Sequence, residues 1–180
     1  KAAKIDTGFA TVNRNLGLAY YNKKQDEIKA LNYYEKAFML DTQDARILME
    51  LDSLYKKLNR STTERLSFLT KNEDVAKQRD DLYLEIVSIH NNLGDFEKAY
   101  DLLMSRKFHP WEGGEGKVSE QYIFSLVEMA KQNIFDGEYD IAIDLLSKAQ
   151  VYPENLGEGK LPGAQENDIF YWLGCAYDGL

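Results

Sequence analysis

Two glycine-rich stretches hold the side chains of this chain that are best suited to chemistry. The first reads Pro110-Trp-Glu-Gly-Gly-Glu-Gly-Lys117, and the second, 43 residues later, reads Pro153-Glu-Asn-Leu-Gly-Glu-Gly-Lys160. Both follow the pattern Pro-x-x-x-Gly-Glu-Gly-Lys, which places a carboxylate and an ammonium group beside backbone that glycine lets approach a ligand closely. We name residues 108–118 the first octet loop and residues 152–163 the second octet loop.

The side chains of the two octet loops could form a binding surface. Trp111 offers an aromatic face on which a ring can stack, and His109 offers a group that titrates near neutral pH. Such a surface would suit a sugar, a peptide or another domain. In a structural alternative, the glutamates accept backbone amides and the lysines bind the carbonyls of the preceding helix. The candidate loop residues are His109, Trp111, Glu112, Glu115, Lys117, Glu154, Asn155, Glu158 and Lys160.

Catalytic chemistry finds little support in these loops. Glu115 and Glu158 could serve as an inverting glycosidase pair if their carboxyl groups lay about 6.5–9.5 Å apart, but the sequence shows nothing that would build a deep cleft around them. A phosphate-binding loop would need glycine where Trp111 stands and serine or threonine where Val118 stands, and the second loop departs in the same two ways. Histidine, cysteine and carboxylate spacings give no metal-ligand or triad motif. We therefore predict no catalytic residues, no metal and no cofactor.

The composition excludes several classes of partner. The chain has 22 lysine and arginine residues against 30 aspartate and glutamate residues, so the net charge is −8. This charge and the lack of a basic run argue against a nucleic-acid binder, and no long apolar segment indicates a membrane span. The single cysteine, Cys175, excludes an internal disulfide and leaves the compartment open, with the cytoplasm as the default expectation.

Helices must position the octet loops, because a helical pattern repeats along the chain. Each unit has a large apolar residue, a small or medium residue directly after it, and usually an aromatic residue four positions after the first. The two long spacings contain the octet loops, which are therefore expected side by side on one edge of a stack. The leading residues, with spacings of 35, 35, 43 and 44, are Leu16, Leu51, Ile86, Met129 and Leu173.

The first two units carry local irregularities. The first has one extra residue in the turn between its helices. The second has Asp52 and Glu64 at positions where the other units favour small residues. Ser61-x-x-Glu64 predicts a capping box that starts the second helix of that unit. No stretch alternates with period two, so strands are not predicted.

These repeat positions resemble those of tetratricopeptide (TPR) proteins, whose period is about 34 residues. The resemblance implies an all-α, right-handed superhelix of antiparallel helix hairpins, an α-α solenoid. It predicts a single repeat domain over residues 1–180, with four hairpins and the first helix of a fifth. Because the chain begins without Met and ends within a predicted helix, we expect a fragment of a larger protein.

The TPR resemblance also implies a concave groove lined by the first helix of each hairpin. The lysine or arginine followed four residues later by asparagine, with which some TPR domains bind chaperone tails, is absent, since Leu18 follows Arg14. A groove for an extended or helical peptide remains compatible. The candidate groove residues are Arg14, Tyr21, Met49, Lys56, Ser88, Asn91 and Lys131.

The sequence segments from Arg106 to Lys117 and from Tyr152 to Gly163 resemble those of one bacterial family. This resemblance is more specific than that of the TPR repeat positions. In that family a β-rich domain of unknown function, similar to sugar-mutarotase sandwiches, precedes a TPR tail, and the match starts near Leu48. The resemblance implies that this chain is the helical tail and that the β-rich domain is a partner in the same polypeptide.

The final predicted helix is apolar on more than one face, with Phe170, Trp172 and Tyr177 among its residues. Repeat arrays usually end in a polar capping helix, so we expect continuation of the array or a homodimer through residues 168–180. The function predicted from the sequence is a non-enzymatic protein–protein or interdomain scaffold, with the octet loops as its main surface. The alternative is that these loops complete a carbohydrate-binding or carbohydrate-processing site shared with the β-rich domain.

Overall fold

A computed structural model describes residues 8–110, 114–160 and 166–180, and within these ranges all regular secondary structure is helical. A π-helix, Tyr20–Lys24, follows the first α-helix, and a 3-10 helix, Glu154–Leu156, precedes the last. The α-helices are α1 (Ala10–Ala19), α2 (Glu27–Leu40), α3 (Ala45–Lys57), α4 (Thr62–Lys71), α5 (Glu73–Ala76), α6 (Asp80–Leu93), α7 (Phe96–Met104), α8 (Lys117–Phe135), α9 (Tyr139–Lys148) and α10 (Glu166–Gly179).

The chain divides into two compact units, Lys1–Tyr83 and Leu84–Leu180, and each is described by itself. In the first unit, α1 packs on α2, α2 on α3, and α3 on both α4 and α5. In the second, α7 packs on α8, α8 on α9, and α9 on α10. The all-helical order of elements predicted from the repeat is confirmed, whereas the prediction of a single repeat domain stays a prediction.

Polar side chains begin the helices of the first unit. The Asp26 carboxylate accepts a hydrogen bond from the Lys29 amide at the start of α2, and Asp44 accepts two from the first turn of α3. At the start of α4, Ser61 and Glu64 form the reciprocal capping box that the sequence predicts. Each cap satisfies amides that have no partner within the helix, which is typically worth about 1 kcal/mol.

The first hairpin shows how small and aromatic residues pair. Gly17 is buried against α2, where a Cβ atom on it would lie 2.7 Å from the Tyr34 ring. Tyr20 stacks on Tyr33 with ring centres 5.3 Å apart. The extra residue of this unit is accommodated by the π-helix, which is followed by Gln25 in the left-handed conformation.

The aspartate at a small-residue position of the second hairpin has a buried partner. Arg65 of α4 donates from Nε to Asp52 Oδ1 at 3.0 Å and from Nη2 to Oδ2 at 2.6 Å. Both residues are at most 5% exposed, so the two charges neutralise each other inside the hairpin in a bidentate pair.

In the second unit, α8 carries the longest apolar stripe. Ile123, Leu126 and Ala130 are buried at i, i+3, i+7 spacing, which is typical of the apolar face of a helix. The Tyr122 hydroxyl donates to the carbonyl of Lys148 at the end of α9, and burial raises the pKa of Tyr122 to about 12. This packing holds the helix whose first two residues are the last two of the first octet loop.

Candidate functional site

The two octet loops contact each other directly. The Phe108 amide donates to the Asn155 carbonyl at 2.7 Å. The side chains of Phe108 and Leu156 are only 2% and 0% exposed, so each loop contributes an apolar residue to the core of the second unit. The loops are therefore anchored by packing as well as by hydrogen bonds.

Asn155 joins the second loop to the end of α7. Its Nδ2 donates to the carbonyls of Leu103 and Arg106, both at 3.0 Å. Leu103 lies in the last turn of α7, where carbonyls have no partner within the helix, and Arg106 lies two residues beyond the helix end, so one amide group holds both. The structural alternative in the sequence analysis predicted that a lysine would bind the carbonyls of the preceding helix. In the structure Asn155 binds them.

Gly157 allows the two loops to approach closely. Its φ angle is +68°, in the left-handed region, and a Cβ atom at this position would lie 2.6 Å from the carbonyl oxygen of Phe108. Such a distance is well inside van der Waals contact, so glycine is required both by the backbone conformation and by the neighbouring chain.

Glu158 caps α8 from the other loop. Its Oε2 accepts hydrogen bonds from the Ser119 amide at 2.9 Å and from the Ser119 hydroxyl at 3.0 Å. Gly116, which precedes α8, has no side chain with which to cap it. A carboxylate at this end also interacts favourably with the helix dipole. Glu158 is therefore occupied in holding the first loop and α8 together.

The other candidate residues of the octet loops are placed differently. Lys160 forms an ion pair with Glu166 at the start of α10, and this carboxylate raises the pKa of Lys160. Trp111 and Glu112 lie outside the described residues. The remaining candidates have solvent-exposed side chains; they are His109, Glu115, Lys117 and Glu154.

The two glutamates considered as a glycosidase pair differ in their surroundings within the described parts of the loops. The Glu158 carboxylate accepts hydrogen bonds from the amide and the hydroxyl of Ser119, whereas Glu115 is exposed on the first loop. Within the described ranges no three His, Cys, Asp or Glu side chains come together as a metal site. Over the same ranges, no helix has the length and apolar character needed to cross a membrane.

In the first unit, two groove candidates are held by internal contacts. Arg14 Nε donates to Glu50 Oε2 at 2.7 Å, and this contact raises the pKa of Arg14. The Tyr21 ring centre lies 4.7 Å from a lysine ammonium of α3. Met49 is half-buried and Lys56 is exposed.

In the second unit, Asn91 is buried rather than open to a groove. It is 4% exposed, and the Ser125 hydroxyl donates to its Oδ1 at 2.9 Å. Lys131 is half-buried, with its ammonium 5.2 Å from the centre of the Trp172 ring, and Ser88 is also half-buried. Lys131 is thus the groove candidate of this unit that lies beside an aromatic face.

The comparison with solved structures decides the fold. The chain is similar to the crystal structure of MamA, a TPR-like helical repeat protein, with a TM-score of 0.56 at 16% sequence identity. The alignment covers 94% of this chain and 81% of that chain. The fold is TPR-like. No protein-family model matches the sequence.

Within this TPR-like fold, some of the residues that build the loop surface were not visible in the sequence. Ser119 lies in α8, 39 residues from Glu158, and nothing in its neighbourhood marks it as a ligand of a distant carboxylate. Trp172 belongs to a helix whose apolar sequence gives no sign that its ring lies beside the Lys131 ammonium. The repeated octet pattern was the one usable signal, since it predicted that the loops lie together.

Replacing Glu158 by glutamine is expected to lower the free energy of unfolding of the second unit by about 1 kcal/mol, because α8 loses a charged cap while the side-chain shape is kept. Urea unfolding followed by tryptophan fluorescence measures this. Glu154→Gln, at an exposed glutamate of the same loop, is the matched control and should change stability little. Equal stability of the two variants would contradict a capping role for Glu158.

Proposed function

We propose that the chain is a non-enzymatic protein-interaction scaffold and that its octet-loop surface binds another protein domain. The observation that carries the proposal is the fixing of the first loop by the second. Phe108, Asn155 and Glu158 fix the described parts of both loops to each other and to α7 and α8, so the described exposed side chains beside these anchors stand on backbone that is fixed before any partner binds.

Such pre-organisation favours binding. A loop that is ordered in the free protein loses less conformational entropy on association than a flexible one. His109 directly follows the anchored Phe108, and Lys117 lies two residues before the capped Ser119. Lys117 and the exposed Glu115, two residues before it, therefore place charges of both signs beside a fixed point, which supports recognition of a complementary protein surface.

The partner that we propose is the β-rich domain that the sequence resemblance implies within the same polypeptide. A separate protein or peptide remains the broader form of the same proposal. Self-association through residues 168–180 stays a prediction; α10 offers exposed apolar side chains for it, but Asp168 and Asp178 of two copies would repel each other.

The carbohydrate alternative has less support from the geometry. It needs Glu115 and Glu158 to face one substrate, whereas the Glu158 carboxylate is engaged by Ser119. A site that depended on this carboxylate would have to release the cap of α8 whenever it bound a sugar.

Isothermal titration calorimetry of the chain against the separately expressed β-rich domain tests the proposal. Lys117→Glu reverses one exposed charge of the first loop and is expected to weaken binding about tenfold or more, which is 1.4 kcal/mol. Lys98→Glu reverses an exposed charge on α7 and should leave binding unchanged. Equal binding by the two variants, or no heat of binding with the wild type, would rule out this surface.

A further inference from the structure

Two turns of the second unit have matching backbones but different side chains. One joins α6 to α7, and the other, 43 residues later, joins α8 to α9. Each contains a glycine in the left-handed conformation, Gly94 with φ +84° and Gly137 with φ +80°. The glycine amide donates to the carbonyl three residues before it, and the next amide donates to the carbonyl five residues before it. A side chain that only one of the two turns carries is therefore not needed to form this backbone.

The α8–α9 turn exposes apolar side chains at two positions where the α6–α7 turn is polar. Phe135 stands at the position of Asn92, and Ile141 stands at the position of Lys98. Phe135 is 91% exposed and Ile141 is 50% exposed. Hydrophobic stabilisation depends on the apolar area removed from water, so Phe135 is needed neither for the turn nor for the core.

The α8–α9 turn also lacks the groups that can carry positive charge in its counterpart. In the α6–α7 turn, His90 Nδ1 lies 3.3 Å from a carboxylate oxygen of Asp95, and in the second turn Asn133 stands at the position of this histidine. The lysine of the first turn, Lys98, is replaced by Ile141. The second turn therefore has no cation of its own with which to offset its acidic residues.

Three exposed carboxylates of the α8–α9 turn have no ion-pair partner among the described residues. The nearest lysines along the chain are engaged elsewhere. Lys131, before the turn, pairs with Glu128, and Lys148, after it, pairs with another carboxylate of α9. Like charges this close repel each other in the free protein, and cations of a partner would relieve the repulsion. The three carboxylates are those of Asp136, Glu138 and Asp140.

This charge selects among the possible occupants of the α8–α9 turn. An anionic membrane surface or a nucleic acid would be repelled by the three carboxylates. A second copy that presented the same turn would bring like charges together. An amphipathic helix with lysine or arginine beside its apolar face offers both an apolar surface for Phe135 and cations for the carboxylates.

We propose that the α8–α9 turn binds a basic amphipathic helix of a partner protein. The Phe135 ring packs on the apolar face of that helix, and the carboxylates of the turn pair with lysine or arginine along its border. Because α8 has 19 residues and is about 28 Å long, this turn and the first octet loop lie at opposite ends of the helix. The turn is therefore a second interaction surface, which does not depend on the octet-loop surface.

A short synthetic helix of leucine and lysine only, with its leucines along one face, is a suitable probe. Fluorescence anisotropy of the labelled peptide with the full chain is expected to show saturable binding that weakens as salt is raised. Phe135→Asn gives the turn the residue of its counterpart, so the backbone should be kept while binding weakens at least about tenfold. Asp136→Asn/Asp140→Asn should also weaken binding and should reduce its dependence on salt.

Ile28→Asn is the matched control, since Ile28 is 76% exposed on α2 of the first unit; it should bind the peptide as the wild type does. No binding at roughly 100 µM chain, or equal binding by the Phe135→Asn and Ile28→Asn variants, would overturn the proposal. Equal binding of a probe in which glutamate replaces every lysine would overturn it too. So would a wild-type dimer in light scattering that Phe135→Asn converts to a monomer, because a second copy would then be the occupant.

Discussion

Arg65→Ala is expected to lower the free energy of unfolding of the first unit by about 3–5 kcal/mol, because it leaves the Asp52 carboxylate buried without its bidentate partner. Asp52 is 2% exposed and Arg65 5% exposed, so water cannot replace the guanidinium without opening the packing between α3 and α4. Urea unfolding followed by far-UV circular dichroism measures the loss. This loss of stability should be among the largest that truncation of a single side chain can produce in this chain.

Arg46→Ala serves as the control for Arg65→Ala, because Arg46 pairs with Glu50 while its side chain stays 63% exposed. Exposed pairs are worth at most about 1 kcal/mol. Replacing both buried partners, as Asp52→Leu/Arg65→Leu, should recover most of the stability lost in Arg65→Ala. A double variant no more stable than Arg65→Ala would show that packing, rather than the orphaned charge, sets the loss.

Gly157→Ala is expected to destabilise the second unit by about 2–5 kcal/mol. The left-handed conformation costs a residue with a Cβ roughly 1–2 kcal/mol, and forcing an atom against closely packed neighbours costs about 1–3 kcal/mol more. The added Cβ would lie 2.6 Å from the Phe108 carbonyl oxygen, which is backbone and cannot rotate away. Both tryptophans, Trp111 and Trp172, lie in the second unit, so urea unfolding followed by their fluorescence reports on it.

Gly137→Ala separates the two costs of Gly157→Ala. Gly137 has a φ angle of +80°, but a Cβ atom there would meet nothing within 4 Å. It should therefore lose only the conformational part, about 1–2 kcal/mol. If the two alanine variants are equally stable, the backbone at Phe108 must shift to accommodate the added Cβ at residue 157, and the close contact between the octet loops contributes no extra cost.

The helical order could be predicted because it depends on residues close in sequence. Small and aromatic positions at a fixed spacing located the hairpins, and Ser61 with Glu64 marked the start of α4. The partner of Asp52 could not be predicted in this way. Arg65 lies in another helix, and only the packing angle of the hairpin decides that the two side chains meet.

The loop surface was predictable in place but not in detail. The repeated octet pattern indicated that the loops lie together, which depends only on the stacking of equivalent units. The hydrogen-bond partner of each loop side chain depends instead on the conformation of the loop. Asn155 reaches the end of α7 and Glu158 reaches α8 because Gly157 turns the chain between them, and no spacing rule contains that turn.

The contact between the octet loops has a consequence for how the second unit folds. Repeat proteins behave as rows of units whose cooperativity comes from the contacts between neighbours. Asn155 adds a hydrogen bond across 52 residues and Glu158 one across 39, so part of the coupling between neighbouring hairpins passes through the connecting loops. Displacement of α9 together with the loop that follows it would break these bonds and release the amide of Phe108. We therefore expect the segment from α7 through α9 and the second octet loop to unfold as one cooperative unit.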